Sequence, residues 1–437
     1  PFDWYGAQDY FKKVRRQGIG LNLVPLQGHL TARAEVVGED DRPLTDDELA
    51  RLLALIDEGL VAGCRGITSG VFYPPSRSAD AAELAACARL MHSHPGAAVY
   101  TAHVRDQDDG IQEAVEEFLD VGRRAGVPVH VSHLGVGWRA NRGKARRVVD
   151  RLAALRSEGF PVTADVLPYP NKGHFWAPRV VLPEEDYDFR KPWRAQAITL
   201  QIRLADPAFL EALVARLEAE PVCADAAKWG VRADEIWDAI VVEEARSALG
   251  REATGLTVAD AAAKAGTTPA RLFVGLLKDD GPDLSAVVVN TFPEDEEAVL
   301  ACPFISFGTD STATRVEDEG SPLELMQAHP RMYGTFPRVL GLLARDKGLL
   351  AVEEAVRRMT SLPASIYGLA NRGTLKPGAW ADVVVFDPAA VGENGTFRCP
   401  RAYPRGIECV LVNGVPVLQG GRFTGELPGR LLTRGVE

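Results

Sequence analysis

The feature that most constrains this chain is a repeated alternation of short apolar runs with amphipathic helical segments over its first two-thirds. Thr45-Asp46-Asp47-Glu48 has the form of a capping box, in which the threonine and the glutamate three residues on each satisfy an orphan amide at a helix start. Leu49, Leu52, Leu53, Ile56 and Leu60 then recur at helical spacing. Gly63 ends that helix, and residues 65–71 read as a strand closing on Ser69-Gly70. The next helix uses Ala82, Leu84, Ala85 and Leu90, and residues 97–104 form the next strand. Two further rounds follow: a helix through Ile111, Val115 and Phe118 to Gly126 with a strand at 127–132, then a helix through Val148, Val149, Leu152 and Leu155 to Gly159 with a strand at 161–166. Strands separated by helices of this length imply a parallel sheet with right-handed crossovers.

Such a sheet either closes into a barrel or stays open and doubly wound. The open form usually carries a glycine-rich phosphate turn after its first strand, and no GxGxxG is present. Gly137 to Lys144 resembles a P-loop, but the spacing is one residue too long and Ala145 follows the lysine. The expected fold is therefore α/β, a TIM-like (β/α)8 barrel. Residues 175–285 are less regular and rich in acidic residues and proline, which marks an insertion or a helical lid. After Gly368 the character changes. Residues 381–386 and 409–412, with Asn413-Gly414 as a hairpin turn, read as an all-β module. The division expected is a barrel over 1–368 and a small β-sandwich module over 369–437.

Composition excludes several function classes. The 437 residues, 46% of them apolar, suffice for a large core. A net charge of −11 weighs against a nucleic-acid partner. No apolar run approaches the ~18 residues of a membrane span, and no signal-peptide pattern is present. The six cysteines are scattered without a CxxC pair, as expected of reduced thiols in a cytoplasmic protein.

The residues able to do chemistry lie where strands end. His103 ends one strand, His133 follows the next, and Asp310 follows Gly308-Thr309 after a later one. Side chains at the carboxyl ends of barrel strands converge on one mouth. Two histidines and an aspartate there are a donor set for Zn2+ with a position left for water, and the aspartate can take a proton. One histidine at a strand end is more often structural. Three such residues on separate strands shift the balance, although spacing alone leaves a site and a structural set both open. His130 lies three residues before His133, so alternation along a regular strand sends it toward the helices as a packed histidine. His92-Ser-His94 reads as a helix-end loop beside Pro95-Gly96. His174 follows a strand end and is a candidate for substrate contact.

With these residues in view, the chain resembles the D-aminoacylase (N-acyl-D-amino-acid deacylase) family of the amidohydrolase superfamily. The resemblance rests on Gly28-His29-Leu-Thr31-Ala-Arg33, Gly66-Ile-Thr-Ser69-Gly70-Val-Phe-Tyr73-Pro74, Tyr100-Thr-Ala-His103-Val-Arg105-Asp106, Ser132-His133-Leu134 and Gly308-Thr309-Asp310. The most specific stretch is His329-Pro330-Arg331-Met-Tyr333-Gly334-Thr335-Phe336-Pro337-Arg338. The resemblance implies metal-dependent hydrolysis of a C–N amide bond in a small N-acyl amino acid or related amide, with one or two Zn2+ ions. It implies His103, His133 and Asp310 as metal ligands, with Asp310 also the catalytic proton carrier. It implies Tyr73, Arg105, His29 and Arg331 as substrate-side residues. The HPR…GTFPR stretch would brace the last strand–helix loop. It leaves a homo-oligomer open.

The chain also departs from the family. The family's HxH pair and metal-ligating cysteine would precede Asn22, where nothing in this sequence can serve, so a chain short of its first barrel strands is expected, with exposed edges and apolar surface on its β-module. Gly135 stands where many members have a carboxylate-binding lysine, Leu167 where they have an aromatic residue, and Gln107 where many have glutamate. An acidic substrate side chain is thereby disfavoured. A non-catalytic scaffold homologue and a cyclic-amide or carbamate hydrolase remain alternatives.

Overall fold

The computed structural model describes residues 4–170, 182, 193–223, 231–312, 329–396 and 399–435. Its centre is a parallel sheet built by the expected alternation. Strands β1 (Gln27–Gly28), β2 (Gly66–Gly70), β3 (Val99–His103), β4 (Val129–Val131), β5 (Val162–Val166) and β8 (Ile305–Phe307) lie side by side in that order, every neighbouring pair parallel. Among the described residues the expected eight strands are represented by these six. Helices α2 (His29–Val37), α3 (Asp46–Ala62), α4 (Ala81–Arg89), α5 (Ile111–Ala125) and α6 (Lys144–Ser157) connect and cover the strands, and α1 (Gly6–Gln17) packs on α3. The capping box forms as read: the Thr45 hydroxyl accepts from the Glu48 amide, and the Glu48 carboxylate accepts from the Thr45 amide.

Alternation along the strands separates two chemistries. Ile67, Tyr100, Ala102, Val129, Val131, Ala164 and Ile305 join Leu52, Ile56, Leu119 and Leu152 of the helices in one apolar cluster. The Tyr100 ring lies 5.4 Å from that of Phe118 on α5. The residues of opposite parity, Thr101, His103, His130, Thr163 and Asp165, therefore face away from the helices. Register confirms the match, since Thr101 pairs with His130 and His130 with Thr163. His130 is buried as expected but on the inner face rather than among the helices. Its ring nitrogens meet Thr163 Oγ1 at 2.8 Å and Asp165 Oδ2 at 2.9 Å. The reason is that alternation ends with β4 at Val131, so His133 is not bound to the parity assumed for it.

A second apolar cluster holds together helices Pro207–Ala219, Val258–Ala265 and Pro269–Asp279 with the antiparallel pair β6 (Ile240–Glu244) and β7 (Ser285–Val288). Most of these residues fall within the less regular stretch 175–285. Trp138, from the loop after β4, is buried in it. His174 lies outside the described residues.

Near the carboxyl terminus, β9 (Val383–Phe386), β10 (Ile407–Val412), β11 (Val415–Gln419) and β12 (Arg422–Phe423) form one antiparallel sheet. Asn413 and Gly414 take φ 53° and 84° at its hairpin, the left-handed pair that a two-residue turn demands. A sandwich requires a second sheet on one face; none is found among the described residues, so the expected sandwich is here a single layer. Of the residues in these four strands, Val412 alone is buried, and Val384, Val385 and Phe423 are exposed. The module is stitched to the start of the chain. Asn22 Nδ2 donates to Asp382, Asn22 Oδ1 accepts from Asn413 Nδ2 at 2.9 Å, and isolated bridges join Ile19 to Pro428 and Leu23 to Leu431.

Candidate active site

Strand β3 delivers His103 on the inner face at its last residue. His133 arrives differently. Two residues past β4 the backbone turns left-handed at His133, φ 36°, a conformation uncommon for a residue with a side chain. Asp165, near the end of β5, stabilises that turn by accepting from the His133 amide on Oδ1 at 2.6 Å, while its own carbonyl accepts from the Leu134 amide at 2.7 Å. Burial pushes the Asp165 carboxyl up, but the hydrogen bond and charge of His130, with His133 beside it, hold it below the usual carboxylate range. Gly308 leaves the necessary room, since a Cβ there would lie 3.2 Å from Asp165 Oδ1.

The turn swings the His133 ring onto His103. Their centroids are 4.6 Å apart at an interplanar angle of 64°, and His103 Nδ1 lies 3.0 Å from His133 Nε2. The rings of Phe72 and Tyr73 close one side, 5.1 and 5.0 Å from that of His103. Gln107 Nε2 lies 2.9 Å from His133 Nδ1 on the other.

Asp310 also has a left-handed backbone, φ 45°, and its carboxylate is half exposed. Its Oδ2 lies 3.0 Å from a guanidinium nitrogen of Arg331, at the start of helix Arg331–Arg338. Burial raises the Tyr73 hydroxyl above its usual range, with the Asp310 charge adding to the shift and Arg331 opposing it, so these three groups share one electrostatic environment. The same helix braces the neighbouring loop. Arg338 donates to the Pro168 carbonyl at 2.6 Å and lies over the Tyr169 ring, whose hydroxyl donates to Glu393 at 2.9 Å.

The structure thus brings His103, His133 and Tyr73 together and pairs Asp310 with Arg331. Among the described residues, no group of three or more His, Cys, Asp or Glu side chains is arranged to hold a metal ion. The expected triple of ligands is therefore not gathered: Asp310 is turned to its arginine instead. Two substrate-side expectations are corrected. His29 is fully buried between Ser76 Oγ at 3.1 Å and Glu83 Oε1 at 2.9 Å, where Glu83 also takes Arg33, so it cannot touch a substrate. Arg105 is committed to both oxygens of Glu117 and to the carbonyls of Arg77 and Ala79, because its side chain turns toward α5 rather than the mouth. His92 and His94 are structural as read, bonded to the Ala125 carbonyl and to Asp57. Sequence reasoning missed Asp165 as the support of His133. The signal was available, since it too stands near the carboxyl end of a barrel strand.

Two nitrogens on one tetrahedral zinc, each at about 2.0–2.1 Å, sit roughly 3.3 Å apart. The 3.0 Å hydrogen-bonded separation of His103 Nδ1 and His133 Nε2 is close to that spacing, so the pair fits as two of a zinc ion's donors once the hydrogen between them is displaced.

The chain is similar to several known proteins. The model of the amidohydrolase family matches residues 316–418. The chain is 32% identical to the D-aminoacylase of Alcaligenes xylosoxydans xylosoxydans over 426 residues, covering 98% of this chain and 73% of that protein. It is 29% identical to the N-acyl-D-aspartate deacylase of the same organism, covering 98% and 72%. The crystal structure of a D-aminoacylase superposes with a TM-score of 0.67 at 28% identity, covering 98% of this chain and 74% of that one. An N-acyl-D-glutamate deacylase from Bordetella bronchiseptica, complexed with zinc and a phosphonate mimic of the tetrahedral intermediate, superposes with a TM-score of 0.67 at 28% identity, covering 98% and 75%. With the strand-end histidines and the parallel α/β sheet already in place, these similarities establish that the chain belongs to the D-aminoacylase family of amidohydrolases.

Proposed function

We propose that this protein is a zinc-dependent hydrolase that deacylates an N-acyl-D-amino acid with a neutral side chain. The observation that carries the reading is the convergence of His103 Nδ1 and His133 Nε2 at 3.0 Å beside the ends of adjacent parallel strands. His103 and His133 would hold the ion, which when bound supplies Lewis-acid activation at the scissile carbonyl. Asp310 is the proton carrier: its exposed carboxylate accepts a proton from the attacking water and returns it to the leaving nitrogen. Arg331 keeps that carboxylate oriented through the 3.0 Å ion pair. Tyr73 and Phe72 wall the pocket beside His103 and exclude water from one side. The neutral preference rests on Gly135, which places no cation two residues after His133.

The division at residue 368 into barrel and β-module belongs to the same reading, as does cytoplasmic residence. The latter is supported by six free cysteines; no described helix is long and apolar enough to cross a membrane.

The test is metal analysis of the purified protein, with hydrolysis of N-acetyl-D-leucine and N-acetyl-D-glutamate followed before and after chelation. Zinc content and a preference for the neutral substrate are expected, both lost in His133→Ala. Zinc and hydrolysis surviving that substitution would overturn the assignment. A protein without zinc or activity would favour a binding or scaffold role.

A further inference from the structure

We infer that Gln107 is a positioning residue that sets the tautomer of His133 and thereby restrains its capacity to ligate a metal. The inference rests on the proposed zinc site and deepens it. Gln107 Nε2 lies 2.9 Å from His133 Nδ1 and 3.3 Å from the His133 carbonyl oxygen. A carbonyl oxygen only accepts, so the atom facing both positions is the amide nitrogen, which donates to Nδ1 as well. His133 Nδ1 is then an acceptor, and in the neutral ring the hydrogen sits on Nε2. That hydrogen points along the 3.0 Å contact with His103 Nδ1, which accepts it. The three residues form a relay with one direction: Gln107 amide to His133 Nδ1, His133 Nε2–H to His103 Nδ1.

A metal ligand needs the opposite tautomer at His133, with a lone pair on Nε2 and the hydrogen on Nδ1. To accept that hydrogen, the Gln107 amide must rotate so that Oε1 faces Nδ1. The same rotation brings Oε1 against the His133 carbonyl, two acceptors where a donor and an acceptor stood. The backbone cannot easily yield, because His133 is held in its left-handed turn by the Asp165 carboxylate. Gln107 therefore makes metal uptake compete with the hydrogen bonds it makes to His133 Nδ1 and to the His133 carbonyl. A carboxylate in its place would accept from Nδ1–H and remove the competition.

The experiment reads the tautomer and the affinity separately, on the full chain. In metal-free protein, nitrogen-15 NMR of the His133 ring should show the Nε2–H form in the wild type and the Nδ1–H form in Gln107→Glu. Zinc affinity, measured by competition with a chromogenic chelator, should tighten about tenfold or more in Gln107→Glu, in line with the usual weight of partners behind a ligand. Gln107→Met, which keeps length without hydrogen bonds, should fall between the two and checks that folding is intact. Wild type and Gln107→Glu sharing one tautomer and binding zinc within twofold of each other would overturn the inference while leaving the zinc site standing. A tautomer that switches in a protein binding no zinc would support the role of Gln107 on His133 and overturn the proposed function instead.

Discussion

The parallel sheet that presents the histidines and the antiparallel sheet near the carboxyl terminus invert the usual link between apolar sequence and burial. Strand β9 reads Val-Val-Val-Phe and leaves Val384 and Val385 about half exposed, whereas β3 reads Val-Tyr-Thr-Ala-His and buries its first four residues. The difference is layering. Helices cover one face of the parallel sheet, and the inner face packs polar side chains against one another in hydrogen-bonded pairs such as Thr101 with Ser132 and His130 with Asp165. The antiparallel sheet has no second layer among the described residues; Phe386 and Ile407 pack against the main core, and Val384 and Val385 remain exposed. A strand's composition states what it can bury, and the layer beside it decides whether it does.

Substitutions can break that contrast. The largest effect is expected at Glu83, the buried carboxylate between α2 and α4 that takes both His29 and Arg33. Glu83→Ala leaves two basic groups buried without their counter-charge and should cost about 3–5 kcal/mol in denaturant unfolding. A loss below about 1 kcal/mol would show that water already reaches this cluster.

The same residue yields a pH dependence. Burial pushes the Glu83 carboxyl up, but the hydrogen bonds from His29 and Arg33 outweigh it and hold the group below its usual range. Its folded pKa is depressed. The stability it contributes is therefore fully present above the unfolded value of about 4.3 and is lost as pH falls through the lower folded value. Glu83→Gln should flatten the acid limb of the stability curve. An unchanged acid slope in that variant would assign the limb to other carboxylates.

Next in size is Ile67, fully buried on β2 in the helix-facing cluster. Ile67→Ala should cost about 2–5 kcal/mol through lost burial and the cavity left behind.

Asn22→Ala removes three side-chain links between the start of the chain and the β-module, to Asp382, Asn413 and the Arg430 amide. About 1 kcal/mol of net stability is expected per neutral hydrogen bond lost. The loss should read out as faster amide exchange in β9 and β10 with β3 unaffected; uniform acceleration throughout would mean that the two sheets unfold as one unit. Smallest is Val384→Ala, expected within about 0.5 kcal/mol of the parent. A loss comparable to Ile67→Ala would show that this face is covered in solution.

Much of the fold was legible because it is local. The capping box at Thr45, the helical spacing from Leu49 to Leu60, the positions of the parallel strands and the Asn413-Gly414 turn all follow from interactions within a few residues. His103 was legible as well, since a strand end and a parity determine which way it points. His133, Asp165 and Gln107 were not legible as a unit. Their arrangement depends on one left-handed turn after alternation has ended, and on hydrogen bonds spanning 26 and 32 residues. His29 and Arg105 looked like mouth residues in the sequence, yet partners 54 and 12 residues away claim them.

The sequence by itself determined the βα repeat, the family and which residue types stand at the strand ends. Tertiary structure alone decided which of those side chains meet and which are consumed by structural pairs. The physical reason is that periodicity encodes the direction of a side chain only while the backbone stays regular, and the chemistry of this molecule begins where that regularity stops.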